Sequence, residues 1–280
     1  MKIAISTEST CDLSPKQIEE NDIKVIPYTV ILGDEEVLDD SSVPTRIFEY
    51  VAKTKKLPKT SAINHLTYKE YFENILKDYD AVIHISLSSG ISSSYSNAVN
   101  AAKEVDNVFI IDSKSLSTGI GLLVLYATQL AKQNLSPKEI VEKVEARVPF
   151  VQASFVIERL DYLYKGGRCN ALSLFGANLL RIRPQIVLKD GKMKPAKKYR
   201  GAMAKVVEEY CKDTLAEFNH PDKSIVFITH TTSTEEMSNA ARRALEEAGF
   251  PNIVETTAGG TITSHCGEHV LGILYINDAE

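Results

Sequence analysis

The segment Ser86-Leu87-Ser88-Ser89-Gly90-Ile91-Ser92-Ser93-Ser94-Tyr95 gathers hydroxyls where an apolar run ends and a helical pattern begins. Hydroxyls and unpaired backbone N–H groups at a helix start suit a carboxylate or a phosphate, because the helix dipole is positive there. The same serines also serve as ordinary helix caps, and this segment alone leaves both readings open. Thr60-Ser61 supplies a second hydroxyl pair, a turn or cap unless folding brings it to the serine loop. His265 lies in Thr261-Ile262-Thr263-Ser264-His265-Cys266-Gly267, after Gly259-Gly260. An imidazole in such a loop donates to an anion or carries a proton, with a structural role as the alternative. Two basic segments, Arg159 to Arg168 and Lys197 to Gly201, would hold a phosphate or a phosphorylating partner, or form a solvated face.

Other chemistry is excluded by spacing. His265-Cys266-Gly267-Glu268-His269 has the form of an inverted zinc-protease motif. That motif needs one continuous helix, and Gly267 weakens it. Gly119-Ile120-Gly121 lacks the third glycine and the preceding strand of a dinucleotide fingerprint. There is no G-x-S-x-G elbow and no P-loop. Ser92 and His265 would make a nucleophile and a base, but no orienting carboxylate is identifiable.

The elements that must position these residues follow from periodicity. Strands are expected at 2–6, 24–32, 81–87 and 107–111, alternating with helices opened by Ser14-Pro15 and Ser136-Pro137 or running near 45–53, 67–79, 92–105 and 117–133. This βαβα rhythm predicts a mostly parallel sheet covered by helices. Near Phe150 the pattern changes. Residues 151–157 alternate like a strand with one exposed face, and 186–198 reads as a hairpin turning at Asp190-Gly191. Helices at 202–218 and 233–249 and strands at 224–230, 252–256 and 270–276 follow. The fold class is therefore α/β, with an N-terminal parallel domain over 1–150 and an α+β domain over 151–280.

A formal net charge of -5 argues against wholesale nucleic-acid binding. Cys11, Cys169, Cys211 and Cys266 are scattered, which fits neither a zinc site nor a disulfide framework. No uncharged apolar stretch reaches the ~18 residues of a membrane span. A reduced, cytoplasmic setting without stable membrane insertion is expected.

With these residues in view, the chain resembles the DegV family, the fatty-acid-binding proteins that serve bacterial fatty-acid kinase. The resemblance covers essentially the whole sequence. It rests on the order and spacing of Ile5-Ser6-Thr7-Glu8-Ser9-Thr10-Cys11-Asp12-Leu13, Thr60-Ser61, Ser88-Ser89-Gly90-Ile91-Ser92, Leu163-Tyr164-Lys165-Gly166-Gly167-Arg168, Lys189-Asp190-Gly191-Lys192, Arg200-Gly201 and His265. It implies a bound long-chain fatty acid enclosed between and within the two domains, no cofactor, and a kinase catalytic protein as partner. By that resemblance the carboxylate is held by Thr60, Ser92, Ser93 and His265, with the loop after Ser92 adding N–H groups. Arg168 and Arg200 face the kinase or its phosphate. Candidates for the acyl sleeve are Ile157, Leu160, Leu163, Leu172, Leu174, Phe175, Leu179 and Leu180. The chain departs from the family pattern at Glu8, at Ser93-Ser94, at Arg181 and in Cys266-Gly267-Glu268-His269. Two further functions stay open at this point: a serine hydrolase acting on acyl substrates, and a binding module for a phosphorylated small molecule. Neither the preferred acyl length nor the oligomeric state is legible from spacing.

Overall fold

A computed structural model describes residues 1–169 and 182–279. In chain order the first part contains β1 (Ile3–Glu8), α1 (Pro15–Glu20), β2 (Lys24–Ile26), β3 (Thr29–Leu32), β4 (Glu35–Leu38), α2 (Val43–Thr54), β5 (Lys59–Ser61) and α3 (His65–Ile75). It continues through β6 (Ala81–Ser86), α4 (Ser94–Ala102), β7 (Val108–Asp112), α5 (Thr118–Ala131) and α6 (Pro137–Arg147). There follow β8 (Val151–Val156), α7 (Asp161–Lys165), β9 (Arg183–Lys189), β10 (Lys192–Tyr199) and α8 (Met203–Glu217). The last elements are β11 (Val226–His230), α9 (Glu235–Glu247), β12 (Ile253–Thr257), α10 (Gly260–Cys266) and β13 (Leu271–Ile276).

Ser14-Pro15 and Ser136-Pro137 open helices as their sequence implies. Each serine accepts from the backbone three residues on, while Gln17 or Glu139 reaches back to its N–H. The expected strand over 24–32 is divided. Lys24–Ile26 pairs parallel with β1, whereas Thr29–Leu32 pairs antiparallel with β4 and β5. Pro27, lacking an N–H, cannot carry one ladder across the junction.

Three sheets result among the described residues. A four-stranded sheet of order β2-β1-β6-β7 is parallel throughout. Its central strand β6 is buried at every residue, as a strand covered on both faces must be. A small sheet of order β4-β3-β5 pairs Val30 with Thr60. A six-stranded sheet of order β10-β9-β8-β13-β11-β12 takes all its strands from Val151 onward and is antiparallel except for β11 beside β12.

Strand β8 was expected to expose one face, and it does not. Val156 belongs to the apolar layer that α8 and α9 make with Tyr210, Met237 and Ile273. Ala153 and Phe155 face the larger core shared with α5 and the parallel sheet. Helix α5 is thus sandwiched, packing on β1, β6, β8 and β13. Its residues are correspondingly apolar nearly all round.

Candidate functional site

In the parallel sheet, β1 leads through α1 to β2 on one side, and β6 leads through α4 to β7 on the other. The strand order therefore reverses between β1 and β6, and the crevice at the carboxyl ends of those two strands is where open α/β sheets hold ligands. The serine loop leaves β6 at this point.

The loop is pinned from outside. Ser88 Oγ donates to the carbonyl of Gly191 at 2.7 Å, so the β9–β10 hairpin tip rests on it. Within the loop, Ser92 Oγ accepts from Tyr28 Oη at 3.1 Å and from the Ser94 amide at 3.2 Å. Both lone pairs are then engaged, and the Ser92 hydroxyl is left to act as a donor. It donates to Ser94 Oγ at 3.2 Å, a long bond that a charged acceptor would outcompete.

Strand β5 places Thr60 Oγ1 2.8 Å from His265 Nε2. The pair joins positions far apart in sequence. Burial, reinforced by the positive charge of Arg168, pushes the imidazole down to about 4, so it is neutral at pH 7. Its Nδ1 is buried without a partner. A buried donor without a partner is rarer than an under-used acceptor, so we assign the proton to Nε2. Nε2–H then donates to Thr60, and the threonine proton is free for a ligand.

Tyr28, Thr60, Ser92, Arg168 and His265 share one cavity of about 40 Å³ with Leu87, Ile91, Leu116, Ile262 and Met193. A second void of about 30 Å³, against Phe155 and Leu274, shares Leu116, Ile262 and Cys266 with it. Each has room for water-sized molecules and not for a long chain. A roomier cavity of about 400 Å³ lies beside Asp12, Asp39, Asp40 and Glu255. Its acidic wall would repel a carboxylate.

His265 was expected in a loop, but it sits on the short helix α10. Carboxylates hold that helix at its start. Asp39 accepts the Gly260 amide at 2.6 Å, the Thr261 amide at 2.9 Å and Ser9 Oγ at 3.0 Å. Asp12 accepts the Gly259 amide at 2.8 Å and Ser117 Oγ at 2.5 Å. Anions favour a helix N-terminus. Burial pushes Asp12 up to about 7, against those hydrogen bonds and with repulsion from Asp39. The helix ends at Cys266, where Gly267 takes φ 77°. His265 and His269 therefore do not share a helix, and no cluster of metal-binding side chains occurs among the described residues.

Ser93 occupies the cap position of α4, exposed, its carbonyl accepting from Ser96 Oγ at 2.8 Å. Arg168 stands at the cavity rim and donates to the Gly166 carbonyl at 2.6 Å. Arg200 is exposed just past β10. Ile157, Leu160 and Leu163 are buried in the larger core. Leu172, Leu174, Phe175, Leu179, Leu180 and Arg181 lie outside the described residues. Among the described residues no hydrogen bond joins Ser92 to His265, whose Nε2 is taken by Thr60, so a hydrolase pair is not formed.

Sequence reasoning missed Tyr28, Asp39 and Ile262. Tyr28 lies after Pro27 in what read as unbroken strand, and Asp39 meets α10 only through a pairing 221 residues apart, which no local pattern signals.

The chain matches the family model described as an uncharacterised protein of the DegV family over residues 2–278. A DegV domain-containing protein of Caldanaerobacter subterraneus subsp. tengcongensis is 30% identical over 278 residues, covering 98% of this chain and 98% of its own. A DegV family protein from Thermus thermophilus, solved for its fatty acid binding, has a TM-score of 0.91 at 25% identity, over 99% of this chain and 100% of its own. DegV from Bacillus subtilis, a fatty acid binding protein, has a TM-score of 0.87 at 27% identity, with 99% and 100% covered. The family model spans nearly the whole sequence and the fold agrees along the same length: this chain belongs to the DegV family.

Proposed function

We propose that the chain binds one long-chain fatty acid and presents its carboxylate to a fatty-acid kinase for acyl-phosphate formation. One observation carries this reading: Ser92 and Thr60 converge as donors in a cavity at the switch point of the parallel sheet, with a neutral His265 donating to Thr60 and so freeing the threonine proton. A carboxylate taken from water is costly unless hydrogen-bonded. Neutral donors satisfy it without a buried counter-ion and leave one oxygen available for phosphoryl transfer. The fatty acid binding given for the Thermus and Bacillus relatives supports the ligand class.

The acyl tail would contribute roughly 0.8 kcal/mol per methylene removed from water. Ligand pockets run to several hundred Å³, roughly 300–1,000. Because voids of about 40 and 30 Å³ are too small for such a tail, Leu116 and Ile262, which line both, would have to part to admit it toward the proposed sleeve residues Ile157 and Leu160. Arg168 at the rim and exposed Arg200 would meet the phosphate charge or the kinase surface.

Mass spectrometry of the purified, denatured protein is expected to release a stoichiometric fatty acid. Ser92→Ala is expected to weaken its retention about tenfold, the value of one good hydrogen bond to a charge, and His265→Ala to weaken it similarly because Thr60 loses the partner that turns its proton to the ligand. Full retention by both variants would remove the head-group assignment. Arg200→Glu is expected to keep the fatty acid and lower acyl-phosphate formation by a fatty-acid kinase about tenfold. Undiminished formation would take Arg200 out of the partner site.

A further inference from the structure

Helix α10 carries three hydroxyl side chains besides His265, and they are not equivalent. Ser264 Oγ donates to the Gly260 carbonyl at 2.7 Å, and Thr263 Oγ1 donates to the Ala258 carbonyl at 3.2 Å. Bonds back to a preceding carbonyl are an ordinary way for a helix to satisfy a buried hydroxyl. For Thr261 the residue four before is Thr257, the last of β12, so no helical carbonyl stands beneath it. Thr261 is only 4% exposed, and its Oγ1 has no partner among the described residues. A buried hydroxyl left unpaired destabilises the fold. Valine would fill the same space without that cost.

This orphan belongs to the head-group cavity. Thr261 lines it together with Tyr28, Thr60, Ser92 and His265. Thr261 and His265 are four residues apart on one helix, so they share a face, one turn from each other. His265 Nδ1, the other buried atom of the cavity wall without a partner, is covered by the end of α7: a Cβ on Gly166 would lie 2.7 Å from it. The backbone of α10 has no donors to spare at its start either. Asp39 holds the amides of Gly260 and Thr261, and Asp12 holds that of Gly259. What α10 has left to offer a ligand is the Thr261 hydroxyl. A carboxylate presents about four lone pairs. Ser92 and Thr60 serve two of them, which leaves an acceptor for a third donor.

We propose that Thr261 is a third hydroxyl ligand of the fatty-acid carboxylate, its proton unspent within the protein and given to the head group. The proposal rests on the reading of this cavity as the carboxylate site. It also accounts for a threonine in an apolar stretch of wall beside Ile262, where shape alone would be served by valine.

The test uses the full chain, stripped of lipid, titrated with palmitate and separately unfolded in urea. Thr261→Val removes the hydroxyl and keeps the shape. It is expected to weaken palmitate about tenfold, the value of one hydrogen bond to a charge. In the lipid-free protein the same change is expected to raise the urea midpoint, because an unpaired buried hydroxyl has been removed. Thr261→Ser, which keeps the hydroxyl and loses the methyl, is expected to restore the affinity. A lowered urea midpoint for Thr261→Val would show that the hydroxyl has an internal partner, and would overturn the proposal. Equal weakening by Thr261→Val and Thr261→Ser would assign the effect to shape, with the same result. Undiminished palmitate binding by Thr261→Val, beside a weakened Ser92→Ala, removes Thr261 and leaves the head-group site standing. Undiminished binding by Ser92→Ala as well overturns the head-group reading itself.

Discussion

At the scale of single residues, the proposed site keeps its imidazole neutral. His265 makes the point quantitatively. Its folded value of about 4 lies below the ordinary 6.5, so the unfolded chain binds the extra proton more readily than the folded one. Stability from this group is complete above about pH 6.5 and is lost as pH falls toward 4, at most roughly 3 kcal/mol. Wild type should therefore lose more stability to urea between pH 7 and pH 4.5 than His265→Gln does. Parallel losses in the two proteins would mean that the imidazole is solvated. How much of this was legible varies by residue. Ser92 and Thr60 stand out as hydroxyls in suggestive places, and the family resemblance assigns them. Their partners do not: Tyr28 and the Ser94 amide engage Ser92 through the fold of the loop, and neither hydrogen bond leaves a trace in spacing.

At the scale of elements, periodicity found the long helices and buried strands because each repeats its pattern several times. Short elements carry too few residues to repeat anything. Strand β5 has three residues and reads as a turn, and α10 has seven in a stretch of Gly, Thr and Ser that favours loops. Both exist through tertiary pairing: β5 completes a small sheet with β3, and α10 is held by Asp12 and Asp39. Those carboxylates matter more to α10 than propensity does. Asp39→Ala removes the acceptor of three donors, two of them amides of the first turn. Loss of about 2–3 kcal/mol is expected, with amide hydrogen exchange accelerated first at Gly260 and Thr261. Fatty-acid affinity should fall with it, since His265 loses its platform. Protection unchanged in the first turn would show that packing alone holds the helix.

For the molecule as a whole, the site depends on segments far apart in sequence meeting at one crevice. The hairpin signal at Asp190-Gly191 was plain from residue types, but a turn signal says nothing of what the tip will touch. Gly191 has φ 74°, and a Cβ there would lie 2.5 Å from Ser88 Oγ, so both its backbone and its surroundings demand glycine. Gly191→Ala should cost about 1–3 kcal/mol, part backbone strain and part collision with the serine loop. Ser88→Ala alone loses the hydrogen bond to the Gly191 carbonyl and the one from the Gly90 amide. Combined, the two changes should cost less than their sum by about 1 kcal/mol, because removing the Ser88 hydroxyl relieves the collision that the added methyl creates. Urea unfolding of the two single variants and the double variant measures that difference directly. Strict additivity would mean that tip and loop are neighbours without mechanical connection, and that the hairpin carrying Met193 to the cavity wall leaves the Ser92 geometry untouched. A negative coupling would tie hairpin, serine loop and the proposed head-group site into one cooperative unit, in which a ligand bound at the crevice stabilises both sheets at once.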